Sequence, residues 1–147
     1  MVTAGSPVGV GAELPGGAPA ARILLAEDDA DLRRMLAFVL CRAGYAVLEV
    51  ADGPGALALA RAARPAVAVL DGRLPGLGGL EVARALEADP ATAGVRVILA
   101  TGAPPAGDPP AGDPPAGVVA WLEKPFSRPA LLAQVARALP VGEGLRV

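Results

Sequence analysis

The sequence predicts an α/β fold: a doubly wound, five-stranded parallel sheet covered by helices on both faces. Three observations predict it. Short apolar runs alternate with stretches whose apolar residues recur at helical spacing. The runs are too continuous for a sheet with one wet face, so helices must cover both sides. A length of 147 residues suits one domain with a single sheet. Right-handed crossovers then wind the chain onto both faces.

The elements follow in order. Residues 1–20 are rich in Gly, Pro and Ala and read as a flexible tail, leaving a domain over 21–140 and a second tail over 141–147. "RILLA" (Arg22–Ala26) reads as a buried strand. Leu32, Met35, Leu36, Val39, Leu40 and Ala43 then fall on one helical stripe, with Asp29 as its cap and Gly44 as its stop. "AVLEV" (Ala46–Val50) alternates like an edge strand. Asp52 caps a second helix that runs to Arg64, before Pro65. Residues 66–71 form the next buried strand. "GRLPGLGG" turns into a helix over 80–88, stopped by Pro90. Residues 95–101 and 118–124 are the fourth and fifth strands. Ser127 caps a last helix to Leu139, ended by Pro140.

Between the last two strands stands "PPAGDPPAGDPPAG", with six prolines between Thr101 and Lys124. One interior Pro costs a helix roughly 3 kcal/mol. Several together cost on the order of 10 kcal/mol, comparable to the stability of a domain. Asp108 and Asp113 each precede Pro and are pushed out of helical geometry. Residues 102–117 are therefore expected to form an extended, polyproline-like loop with no helix.

Composition removes several function classes. Histidine is absent, which excludes His-dependent triads and His-ligated zinc. The lone Cys41 sits on the first helical stripe and reads as a packed thiol. A net charge of −2 gives no bulk attraction to nucleic acid or anionic membrane. No charge-free apolar run reaches the roughly 18 residues of a membrane span, and the start lacks a signal-peptide pattern. A cytoplasmic location is the resulting expectation. "GPGALA" (residues 53–58) formally matches a dinucleotide motif, but it follows an edge strand and carries Pro, so it reads as a helix start.

In doubly wound sheets, chemistry gathers beyond the carboxyl ends of the strands. Glu27, Asp28 and Asp29 follow the first strand, Asp71 ends the third, Thr101 the fourth and Lys124 the fifth. Crowded carboxylates call for a hard divalent cation or protonation. Carboxylates, Lys and Thr without His or Cys suit phosphoryl transfer, with one carboxylate as nucleophile. Lys124 is the only lysine, set against 12 arginines. Gly102, after Thr101, leaves its amide open and its side clear.

At these residues the sequence resembles the receiver domain of bacterial two-component response regulators. The motifs are "ILLAEDDADLRRML", "VLDGRLPGLGGLEVARAL", "VILATG" and "WLEKPF", and the likeness covers about Arg22 to Leu139. The resemblance implies the flavodoxin-like receiver fold with strand order 2-1-3-4-5, here with the fourth helix replaced by the Pro/Gly-rich loop. It implies Asp71 as phosphoacceptor, served by a sensor histidine kinase, a phosphotransfer protein or a small acyl phosphate. It implies Mg²⁺ (or Mn²⁺) held by Glu27, Asp28, Asp71 and the backbone carbonyl of Arg73. Thr101 and Trp121 become the switch pair, Lys124 the phosphoryl partner, and Lys124–Pro125 a cis bond.

This sequence departs from the family in places. Glu27 replaces the commoner Asp, Gly78 stands where Asp is usual, and Trp121 is bulkier than the usual ring. Arg73 places a cation near the phosphoryl site, where the acid of an aspartyl-phosphate hydrolase would stand. Without a fourth helix, Trp121 is expected to lie over the gap or under a partner. The family's dimer through the fourth helix, fifth strand and fifth helix is not expected, so the chain reads as a monomer. With no output domain after Leu139 it reads as free-standing, a signalling domain rather than an enzyme, with at most self-catalysed phosphorylation and dephosphorylation. Its downstream partner is unnamed by the sequence, and no contact with nucleic acid or membrane is expected. The alternative is a pseudo-receiver that binds proteins without being phosphorylated.

Overall fold

The computed structural model of the chain describes residues 20–102 and 115–140. Five strands and four helices lie within them: β1 (Arg22–Ala26), α1 (Ala30–Arg42), β2 (Ala46–Val50), α2 (Gly53–Ala63), β3 (Val67–Asp71), α3 (Gly79–Ala88), β4 (Arg96–Thr101), β5 (Val118–Glu123) and α4 (Arg128–Ala138). The strands form one sheet of order β2-β1-β3-β4-β5, and every pair is parallel. The expected tails over 1–20 and 141–147 and the expected helix-free loop over 102–117 lie outside the described residues, except for residues 20, 102 and 115–117, none of which is helical.

The helix boundaries follow from local chemistry. Asp29 Oδ1 accepts from the amides of Asp31 and Leu32 at the start of α1. Gly44, at φ 102°, turns the chain out of that helix where an L side chain would be strained. Asp52 Oδ1 and Ser127 Oγ cap α2 and α4 in the same way. Strand edges shift by one residue from the sequence reading. Val95 is buried, but its N–H donates to the Thr92 carbonyl and closes a turn before β4 begins.

Each face of the sheet carries its own core. Ile23, Leu25, Val67, Val69 and Ile98 meet Leu36 and Leu40 of α1 and Leu131 and Val135 of α4. Leu24, Ala68, Leu70 and Leu99 meet Ala56 and Ala60 of α2 and Val82 and Leu86 of α3. Burying a Leu or Ile in this way stabilises the fold by about 1.5–3 kcal/mol. The central strands β1 and β3 thus have no free face, and their carboxyl ends are fixed points. At the sheet edge, Trp121 pairs in register with Leu99 after a shift between Val97 and Ile98. The Trp121 ring, expected to lie over a gap or under a partner, stays 38% exposed, and Val119 beside it 45%.

The start of α3 is packed directly behind Asp71. A Cβ on Gly79 would stand 2.5 Å from the Asp71 carbonyl oxygen and 2.9 Å from Leu99 Cδ2. The backbone oxygen has nowhere to go, because Asp71 is held in the β3–β4 ladder. Gly79→Ala is therefore expected to lower stability by about 1–3 kcal/mol. Chemical denaturation measures this, and an unchanged midpoint would contradict the packing.

Candidate functional site

The carboxyl ends of β1, β3, β4 and β5 meet at one rim. Glu27 extends the β1 ladder by one residue, its N–H donating to the Val50 carbonyl at 3.1 Å. That places its side chain inward, where it is 3% exposed. Its Oε2 accepts from the Asp29 amide at 3.1 Å, and its Oε1 accepts from Lys124 Nζ at 2.9 Å. Burial pushes the Glu27 carboxyl above its ordinary range; the Lys124 and Asp29 hydrogen bonds only partly offset this.

Asp71 closes β3 and is 8% exposed. Its Oδ1 accepts from the Arg73 amide at 3.3 Å, and its Oδ2 lies 3.5 Å from Lys124 Nζ. One ammonium therefore bridges the two buried acids. Burial works to lower the Lys124 pKa, but the Glu27 hydrogen bond and the charges of Glu27 and Asp71 outweigh it and hold the ammonium above its ordinary value. The folded site thus favours charged Lys124. Its contribution to stability is complete below the unfolded pKa and is lost as pH rises through the folded one.

Asp28 is exposed at the mouth of the site. Oxygens of Glu27, Asp28 and Asp71 lie within 4.8 Å of one another. Three hard oxygen donors at this spacing, with no His or Cys among them, suit Mg²⁺ or Mn²⁺. They edge an open cleft of about 640 Å³ that Lys124, Arg73 and Gly102 also line. A Cβ on Gly102 would meet nothing within 4 Å, so close packing is not what selects glycine there.

Thr101 ends β4 at the same rim, half-buried, and its carbonyl accepts from the Lys124 amide at 2.8 Å. Gly72 lets Thr101 come close to the Asp71 loop: a Cβ there would stand 3.3 Å from Thr101 Cβ. The Lys124–Pro125 peptide bond is cis. The Arg73 side chain is exposed. Trp121 stands three residues before Lys124 on the edge strand and does not line the cleft.

Two contributors were not singled out from the sequence. Gly72 reads as a plain turn glycine until Thr101 is seen beside it. Arg33 of α1 donates from Nη1 to the Glu27 carbonyl at 2.8 Å, and its Nε pairs with Glu49 Oε1 of β2 at 3.4 Å. Its place on the polar side of an amphipathic helix, four residues after the cap, was the only signal.

A doubly wound parallel sheet of order 2-1-3-4-5, with an acidic trio and a lone lysine at its carboxyl rim, defines a small α/β domain of the flavodoxin-like receiver type. The chain belongs to the response regulator receiver domain family, which matches residues 23–136. It is 36% identical over 118 residues to the DNA-binding response regulator MtrA of Mycobacterium tuberculosis, covering 80% of this chain and 50% of that protein. The chain spans about half the length of the curated relatives it matches first. Among solved structures it resembles the receiver domain of the sensor histidine kinase PA1611 from Pseudomonas aeruginosa, which has a magnesium ion coordinated in its active site cleft. The TM-score is 0.71 at 32% identity, covering 80% of this chain and 96% of that one. It also resembles the chemotaxis response regulator CheY4 of Vibrio cholerae, with TM-score 0.71 and 28% identity over 82% of this chain and 99% of that one. Among the described residues, no helix is long and apolar enough to cross a membrane.

Proposed function

We propose that this domain, residues 21–140, accepts a phosphoryl group on Asp71 from a histidine kinase or phosphotransfer protein, in a reaction that depends on Mg²⁺ or Mn²⁺. The observation that carries this reading is the Lys124 ammonium, 2.9 Å from Glu27 and 3.5 Å from Asp71, beside the exposed carboxylate of Asp28. An Asp71 oxygen attacks phosphorus and forms the acyl phosphate. The donor's P–N bond breaks, and its electron pair returns to the imidazole. When bound, the divalent cation supplies the charge that draws phosphoryl oxygens to three carboxylates. Glu27, Asp28, Asp71 and the Arg73 carbonyl are its proposed ligands.

Lys124 then shifts its ion pair from the Asp71 carboxylate to a phosphoryl oxygen, as a point charge on a flexible stem can. The Thr101 hydroxyl takes another oxygen, and Gly102 lines the same cleft. Trp121, on the strand that leads into Lys124, is the proposed reporter of Thr101 movement. The proposed setting is the cytoplasm, as a monomer that engages a protein partner rather than nucleic acid or membrane. Catalysis is confined to the domain's own phosphorylation and dephosphorylation.

Acetyl phosphate with Mg²⁺ should give a retarded band on a phosphate-affinity gel and a mass increase of one phosphoryl group. Both should vanish in chelator. A chain that stays unmodified under every phosphodonor would be a phosphorylation-independent binding module instead.

A further inference from the structure

We infer that Arg33 is the positioning residue of the acidic trio, setting divalent-cation affinity without touching the cation. The inference rests on the reading of Glu27, Asp28 and Asp71 as a cation site. Among the described residues, the Asp28 carboxylate takes no hydrogen bond and joins no ion pair. No polar partner fixes its direction, which leaves its backbone as the anchor. The peptide unit that delivers Asp28 is the one whose carbonyl belongs to Glu27, and Arg33 Nη1 holds that oxygen at 2.8 Å. Rotation of this peptide plane would swing Asp28 away from Asp71.

The guanidinium fork does a second thing. A bare cation beside the trio would repel a divalent ion. Arg33 Nε lies 3.4 Å from Glu49 Oε1, so the charge is paired on the side away from the Glu27 carbonyl. Both groups are partly sheltered, at 18% and 33% exposure, which keeps the pair from being fully screened. Arginine can donate in two fixed directions at once. Lysine, a single point donor, can serve the carbonyl or the carboxylate with less fixed geometry. The arrangement ties α1, the end of β1 and the edge strand β2 to one peptide group.

The test uses the full chain and Mn²⁺ alone, with the free ion counted by electron paramagnetic resonance. Arg33→Met is expected to weaken Mn²⁺ binding by roughly tenfold or more, as loss of a partner behind a metal ligand typically does. Arg33→Lys should recover part of that loss. Thermal unfolding in chelator is measured alongside. A lower Tm with unchanged Mn²⁺ affinity in Arg33→Met means the bond only staples the fold, and overturns the inference. Should the Met variant fail to fold, Arg33→Lys decides. Weakened binding supports positioning, and wild-type affinity overturns it. A wild-type chain that binds no Mn²⁺ removes the cation-site reading itself, and the inference falls with it.

Discussion

Asp71→Asn is expected to abolish the phosphate-dependent gel shift while leaving the fold intact. Asn has nearly the same shape, so neither β3 nor the turn after it must move. The amide nitrogen is not a nucleophile of the needed kind, and the remaining oxygen cannot form a stable acyl phosphate. The hydrogen bond and the ion pair at Asp71 also make conflicting demands. Asp71 accepts from the Arg73 amide on one oxygen and faces Lys124 with the other. An Asn can satisfy one of these and must turn its NH₂ toward the other donor. That loss, about 1–3 kcal/mol for an unsatisfied buried group, opposes the relief of removing one carboxylate from a trio spanning 4.8 Å. Stability in chelator should therefore change little, and Mn²⁺ affinity should fall about tenfold or more. The gel and a thermal melt measure the two halves. A residual band of wild-type intensity would place the phosphate on another residue.

The fold was legible because burial on both faces leaves continuous apolar runs, and these occupy β1, β3 and β4. The rim was legible for a related reason. Three site residues are the first polar group after such a run: Glu27 after "RILLA", Asp71 after "AVAVL", Thr101 after "VRVILA". Strand ends were less exact. Val95 is apolar because it is buried, yet it belongs to a turn, and burial alone does not separate the two. The Arg33 bond to the Glu27 carbonyl was invisible for a deeper reason. A side chain that meets a backbone oxygen leaves no partner residue type in the sequence to look for. Gly79 was equally silent, since the close approach that requires it involves the backbone of Asp71, eight residues earlier. Trp121 marks the converse limit: an apolar residue in a strand pattern, it is 38% exposed in the chain alone.

Lys124→Met is the substitution expected to separate cation binding from phosphoryl transfer. In the wild type the ammonium competes with any divalent ion for Glu27 and Asp71, because it already lies 2.9 Å and 3.5 Å from them. Removing it leaves three carboxylates with no lysine among them. The folded state in chelator should lose about 2 kcal/mol, below the range for a fully buried pair because Lys124 keeps 24% side-chain exposure. Divalent cations should then bind more tightly, not less, and restore much of the lost stability by mass action. Phosphorylation should move the other way. As the phosphoryl group moves onto Asp71, its oxygens lose a charged donor that metal charge cannot replace at the same place. Removing one such donor slows comparable reactions by about 10²–10³-fold. Met keeps most of the side-chain volume, so packing against the rim is not the variable. Mn²⁺ titration and timed phosphorylation with acetyl phosphate give the two readouts. Weaker cation binding would show that Lys124 organises the carboxylates rather than competing for them. Unimpaired phosphorylation would remove it from the transfer step.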